Sequence, residues 1–218
     1  MLYDIDLVSD FCKRKGLFLI VDSISSFIAD PFSMKDSNAD VVLTGSQKAL
    51  ALPPGLSILM LGPRALERIE QNNVRSLYFN LKAALKDGLR GQTPFTPAVS
   101  ILIQLNKRLN MLNKRGLLSE TERIHLLARD FRDKIQSLPF DFPSSAMSNA
   151  ATALSTKADL GAHGIFELLK DEYEIFVCPN GGELKDRVFR VGHIGALSTD
   201  DNTALIESFK DIQRRGLI

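Results

Sequence analysis

Two short apolar runs, each leading to a polar residue capable of chemistry, constrain this chain more than any other feature. Leu17-Phe18-Leu19-Ile20-Val21 closes on Asp22, and Val41-Val42-Leu43 leads through Thr44-Gly45-Ser46-Gln47 to Lys48. A run apolar on both faces is the pattern of a parallel strand covered by helices. In open α/β sheets ligands bind outside the carboxyl ends of the strands, and Asp22 and Lys48 both follow such an end. Behind Lys48, Pro53-Pro54-Gly55 marks a bend and residues 56–61 read as a further buried strand. A lysine between buried strands is partly desolvated, which favours its neutral amine and makes it nucleophilic. That is what a Schiff-base lysine requires. Asp22 alone reads equally well as a strand-end residue capping a turn.

The rest of the chain alternates helical and strand patterns. Ile5, Val8, Phe11 and Cys12 have helical spacing over residues 3–15, and Gly16 ends that helix. Asp30-Pro31 is a turn signal, and residues 37–40 form a loop. Gly62-Pro63 opens a helix to about residue 70, and a second is expected over 76–87. Thr96-Pro97 resembles an N-cap followed by proline at the first helical position. Val99, Leu102, Leu105, Leu109 and Leu112 would form the buried face of that helix. Ser119-Glu120-Thr121-Glu122 reads as a capping box, starting a helix with Ile124, Leu127, Phe131 and Ile135 inward. Past residue 139 prolines and a serine-alanine cluster form a linker. A second α/β pattern follows, with strands near 149–155, 174–177 and 187–191, and helices over 160–171 and 200–214. The expected division is therefore a first domain over 1–118 and a smaller C-terminal domain over 119–218, which includes the linking helix.

Composition narrows the partners. The chain is 44% apolar and 24% charged with a net charge of +1, so nothing favours nucleic acid or an anionic membrane as partner. The basic runs Lys13-Arg14-Lys15 and Arg214-Arg215 fall at helix C-terminal ends, where they suit the dipole. Cys12 and Cys178 make neither a disulfide framework nor a zinc spacing. No run is long enough to span a bilayer and the start has no leader pattern, so a cytoplasmic location is expected. His193, beside glycines, reads as structural, and His125 and His163 as ordinary helix residues.

Four stretches, in order, resemble the class V aminotransferases of the fold-type I pyridoxal-phosphate enzymes, most nearly the alanine–glyoxylate and 2-aminoethylphosphonate branch. They are Val21-Asp22-Ser23-Ile24-Ser25-Ser26, then Gly45-Ser46-Gln47-Lys48-Ala49-Leu50 with Pro53-Pro54-Gly55, then Thr93-Pro94-Phe95-Thr96-Pro97, and Arg190-Val191-Gly192-His193-Ile194-Gly195. The resemblance implies an α/β fold, with residues 1–118 as the C-terminal part of a large cofactor-binding domain (a mostly parallel sheet flanked by helices). It implies pyridoxal 5′-phosphate as cofactor, attached through a Lys48 Schiff base. Asp22 would pair with the pyridinium nitrogen, Ile24 would pack on the ring, and Ser46 and Gln47 would reach the phosphate. Ser26 and Arg190 would bind substrate, the arginine as a bidentate fork on its carboxylate. Thr93 or Thr96 would reach the phosphate of the other subunit of a homodimer; Thr93 is favoured because Thr96 has a local role as N-cap. The implied reaction is transamination between a small amino acid or aminophosphonate and a 2-oxo acid.

The family carries a long portion ahead of the strand ending on Asp22, with a phosphate loop at a helix N-terminus. The chain is therefore expected to be N-terminally truncated relative to it. Residues 1–218 alone are expected to bind the cofactor weakly and to self-associate or need a partner. Two other readings compete. One is a cofactor-dependent lyase or cysteine desulfurase, which would need a cysteine on a mobile loop and usually a histidine where Gln47 precedes Lys48. The other is a catalytically incompetent fragment acting only in assembly.

Overall fold

The structure is a computed structural model that describes residues 2–218; Met1, the first residue of the expected 1–118 domain, lies outside the described residues. The chain divides into two compact units. One comprises Asp4–Ile24 and Phe32–Met111, the other Leu2–Tyr3, Ser25–Pro31 and Leu112–Ile218. The short segment 25–31 thus packs with the C-terminal residues and not with its sequence neighbours.

The first unit opens with helix α1 (Ile5–Lys15), capped at its start by the Asp4 carboxylate, which accepts from Leu7 N at 3.0 Å. Gly16, at φ 63°, ends it in the left-handed conformation that glycine adopts without strain. Strand β1 (Ile20–Asp22) pairs in parallel with β2 (Val41–Gly45), and β2 pairs antiparallel with β3 (Ser57–Leu61). The parallel pair was legible in the apolar runs. The expected mostly parallel sheet shows one ladder of each kind, because residues 46–56 form too short a link for a parallel crossover. Buried Asp40 ties the two parallel strands together at their start, its carboxylate accepting Leu19 N at 2.8 Å and its own N–H reaching Leu19 O at 2.9 Å. Leu19, Val21, Ala39 and Val42 form the core here. Contrary to expectation, Leu17 and Ile20 are exposed: burial alternates along the run, with Leu19 and Val21 inside and Ile20 and Asp22 outside, so only one face of it is covered.

Helices α2 (Pro63–Gln71), α3 (Leu81–Gly88) and α4 (Val99–Arg115) follow. The helix expected from residue 76 starts at Leu81 instead, capped by the Asn80 side chain on Ala83 N. The expected buried face of α4 is corrected too. Only Leu112 is buried, while Val99, Leu102 and Leu109 are exposed. Its first intrahelical bond runs from Leu102 N to Ala98 O, so Ala98 and not Thr96 holds the N-cap position.

In the second unit α5 (Leu117–Ile135) turns Ile124, Leu127, Phe131 and Ile135 inward, as its spacing requires. Its N-cap is Gly116, so the expected capping box falls inside the helix: Thr121 Oγ1 donates to Leu117 O, and Glu120 pairs with Arg123. The sheet is antiparallel in the order β4 (Ala151–Ser155), β6 (Val188–Gly192), β5 (Cys178–Pro179). The strand expected at 174–177 is displaced to β5, because α6 (Gly161–Tyr173) runs on and Glu174 takes its left-handed C-cap at φ 56°. The last helix, α7 (Thr199–Arg214), carries a capping box at Ser198 and Asp201. Phe131, Leu154, Phe189, Phe209 and Ile212 are at the centre of the core, with Phe140 packed against the rings of Phe189 and Phe209.

A chain of buried polar groups runs through this unit. Asp30, part of the expected Asp30-Pro31 turn, is buried, and its carboxylate accepts from Ser148 Oγ and, at 2.7 Å, from Asn149 N. Arg132 donates to Ser148 O and, through Nε at 2.9 Å, to Thr152 Oγ1. Thr152 Oγ1 shares a 2.8 Å hydrogen bond with His193 Nε2. The His193 ring is wholly buried beside Phe131 and its Nδ1 has no partner. Burial, with a smaller contribution from the Arg132 charge, pushes its pKa down to about 4.

This shift sets a pH dependence. Above the ordinary histidine value of 6.5 His193 is neutral folded and unfolded, and contributes no slope. Below it the unfolded chain takes up a proton that the folded chain refuses, so stability falls until the pH reaches the folded value of about 4. The full loss is about 3 kcal/mol. Urea unfolding of wild type and His193→Gln between pH 7 and pH 4 should show a steeper fall in the wild type; parallel curves contradict the assignment. Phe209→Ala should cost about 3–5 kcal/mol in the same assay, against less than about 0.5 kcal/mol for exposed Phe176→Ala.

Candidate functional site

The parallel register pairs Asp22 with Leu43. Both strands run in the same direction, so the chain leaves them at one edge of the sheet. Asp22 is the last residue of β1 and the turn 46–48 begins where β2 ends. Asp22 is exposed, and its Oδ1 accepts from Ile24 N at 2.9 Å, so the turn-capping reading of this residue also holds. The side chain of Ile24 is half-buried.

Lys48 is half-buried and follows wholly buried Ser46 in the turn that links β2 to β3. Its carbonyl accepts from Ala51 N at 2.8 Å. Ser46 makes four hydrogen bonds inside this link. Its N–H donates to Leu56 O at 3.1 Å and its carbonyl accepts from Leu52 N at 3.1 Å. Its hydroxyl donates to Pro53 O at 2.7 Å and accepts from Leu56 N at 3.2 Å. A hydroxyl has one proton, and here Pro53 O takes it. Gln47 is exposed, and its carboxamide lies back over Gly45, where an added Cβ would fall 2.5 Å from Oε1. A brace not anticipated from sequence comes from α4: Arg108 Nη2 donates to Ala49 O at 3.2 Å. Only the α4 helical phase, which sets Arg108 beside Leu105 and Leu112, carried any signal of it.

Thr93 is exposed, and its Oγ1 donates to Phe95 O at 2.6 Å. With Ala98 as N-cap, the local engagement expected of Thr96 belongs to Thr93. Around them Tyr78, Phe79 and Phe95 form an exposed aromatic cluster, with ring centroids 5.4 and 5.2 Å from Tyr78.

Ser26 and Arg190 belong to the second unit. Ser26 is half-buried, with its carbonyl accepting from Asp30 N at 2.9 Å. Arg190 stands exposed on the central strand β6, opposite Ala153 and Cys178. Its Nη2 donates to Cys178 Sγ at 3.1 Å. Cys178 itself lies in a strand pair, not on the loop that a desulfurase cysteine would need. Among the described residues no cluster of side chains suits a metal ion, and no helix is long and apolar enough to cross a membrane.

The donor set at the β1–β2 edge suits pyridoxal phosphate. An amine, a carboxylate and a carboxamide are what an aldehyde, a pyridinium nitrogen and a phosphate oxygen call for.

Residues 1–181 match the family described as aminotransferase class-V. A soluble hydrogenase small subunit from Synechococcus sp. is 29% identical over 97% of this chain and 56% of its own length. The serine–glyoxylate aminotransferase of Arabidopsis thaliana is 30% identical over 85% of this chain and 47% of its own length. Among solved structures, the ureidoglycine–glyoxylate aminotransferase of Bacillus subtilis superposes with a TM-score of 0.89 at 17% identity, covering 98% of this chain and 57% of that one. The chain spans about half the length of the relatives it matches. Its fold is that of the pyridoxal-phosphate fold-type I aminotransferases, and the chain belongs to the class-V aminotransferase family.

Proposed function

We propose that residues 1–218 carry the attachment lysine, the ring-nitrogen carboxylate and the substrate-carboxylate arginine of a pyridoxal-phosphate-dependent aminotransferase. The observation that carries this reading is the β1–β2 register, which brings Asp22 and the turn holding Lys48 to one sheet edge. Pyridoxal phosphate, when bound, supplies the electron sink that lets the substrate Cα give up its proton. Lys48 would offer the amine that attaches the cofactor, and the same amine would hold and move that proton. Asp22 keeps the ring nitrogen protonated by charge pairing. Ile24 supplies an apolar surface for the ring, and Gln47 a neutral donor for the phosphate.

Arg190, with Ser26, takes the carboxylate of a small amino acid or of the 2-oxo acid that replaces it; a planar guanidinium matches that anion better than an ammonium does. The aminophosphonate reading asks the same arginine to hold a phosphonate. The name of the Arabidopsis relative supports glyoxylate as acceptor. The two domains of this reading are 1–118, part of the cofactor-binding domain, and 119–218, the small domain. A homodimer sharing its active sites, through Thr93 or Thr96, would cover the exposed cluster of Tyr78, Phe79 and Phe95. The competing reading, a fragment that only assembles, draws on the exposed apolar side chains of α1 and α4.

Amino transfer to glyoxylate should be assayed with alanine, serine, aspartate and 2-aminoethylphosphonate as donors, using the chain alone and any longer polypeptide containing it. Lys48→Ala should lower transfer at least ~10³-fold. Arg190→Ala should raise the KM of the carboxylate substrate by roughly 10–100-fold with a smaller change in kcat. Transfer that survives Lys48→Ala contradicts the reading. Assembly without transfer, with no longer polypeptide restoring it, favours the fragment.

A further inference from the structure

We infer that Ser46 is a positioning residue for Lys48, with Arg108 as its outer support, and not a ligand of the cofactor phosphate. This inference rests on Lys48 being the attachment lysine.

The link 46–56 between β2 and β3 has no regular structure of its own apart from its turns, so something must fix where Lys48 stands. Ser46 does this from the inside. Its backbone closes the link at Leu52 and Leu56, and its hydroxyl bridges Pro53 O and Leu56 N. The residue is wholly buried. It therefore joins the two ends of the link two residues before the lysine.

A buried hydroxyl whose one proton already meets a carbonyl has no donor left for a phosphate oxygen. Turning that proton to a phosphate would give up the hydrogen bond to Pro53 O. Neighbouring Gln47 is exposed and has the two donors of a carboxamide.

The outer support comes from α4. Arg108 Nη2 holds Ala49 O, the carbonyl next after that of Lys48. Four residues beyond Ala51, Gly55 lets α4 approach: with φ 146°, a Cβ there would fall 2.6 Å from Ile101 Cδ1. The lysine turn is thus held at its start by Ser46 and at Ala49 by Arg108.

Comparing pyridoxal 5′-phosphate with pyridoxal, which lacks the phosphate, separates the two roles. Each aldehyde is titrated into wild type, Ser46→Ala, Arg108→Met and Gln47→Ala protein, with the Lys48 adduct read as borohydride-trapped mass and Lys48→Ala as the control. Ser46→Ala should weaken both adducts by the same factor, about tenfold for two lost hydrogen bonds. Arg108→Met should weaken both equally by a smaller factor, and Gln47→Ala should affect the phosphate-bearing aldehyde alone. Loss in Ser46→Ala confined to pyridoxal 5′-phosphate, or no loss with either aldehyde, overturns the inference.

If wild type forms no Lys48 adduct, either alone or within a longer polypeptide containing it, the attachment reading fails by itself. Amide exchange then decides the positioning role. Ala51 N–H is bonded to Lys48 O and does not touch the Ser46 hydroxyl. It should exchange faster in Ser46→Ala while Val42 and Leu43 in β2 stay protected. Unchanged exchange at Ala51 overturns the inference.

Discussion

The parallel ladder between β1 and β2 is the constraint on which the candidate site depends. A one-residue slip in that ladder would turn every side chain of β1 to the opposite face. Asp22 would then exchange places with buried Val21 or Ser23. Asp40 guards against this from the start of both strands, since its carboxylate and its backbone hold the two groups of Leu19. At the far end Ser23 N reaches Leu43 O at 2.9 Å. The register is thus pinned on both sides of a strand only three residues long, and the edge from which Asp22 and the lysine turn emerge is fixed with it.

The second unit works by a different means. Its strands form an antiparallel sheet over an aromatic core, and the polar chain from Asp30 to His193 joins segment 25–31, α5, the start of β4 and the end of β6. Buried polar groups are costly unless paired, and nearly every member here is paired; the exception is Nδ1 of His193. The strand that carries Arg190 ends at the residue before this histidine. An exposed arginine gains its orientation from the rigidity of the strand beneath it, and here that strand is fixed by its sheet partners and by the buried imidazole.

Much of this was legible in the sequence where local chemistry and burial agree. The stretch from Val41 to Lys48, the Gly16 cap and the inward face of α5 each follow from patterns that short segments impose on themselves. The failures have one physical origin: sequence pattern reports what a segment could bury, not what covers it. Leu17, Ile20 and, on α4, Val99, Leu102 and Leu109 were expected inside and are exposed. The turn that Asp30-Pro31 signals is present, with Asp30 N donating to Ser26 O, but nothing local announces that Asp30 is buried or that its partners Ser148 and Asn149 lie far along the chain. Other bonds are silent in the sequence without being failures of that kind: the hydroxyls of Ser46 and Thr93, which the resemblance places near a phosphate, donate to Pro53 O and Phe95 O. No local pattern announces such a bond.

The most direct test of Lys48 as the chemical centre is a competition among the lysines of the chain itself. The protein is incubated with limiting pyridoxal 5′-phosphate, reduced with borohydride, digested, and every lysine-containing peptide is quantified by mass. Lys48 should carry most of the reduced adduct at the lowest cofactor concentration, ahead of the exposed lysines at 13, 15, 35 and 86. An adduct spread evenly over the exposed lysines, with Lys48 unmodified, would contradict the account.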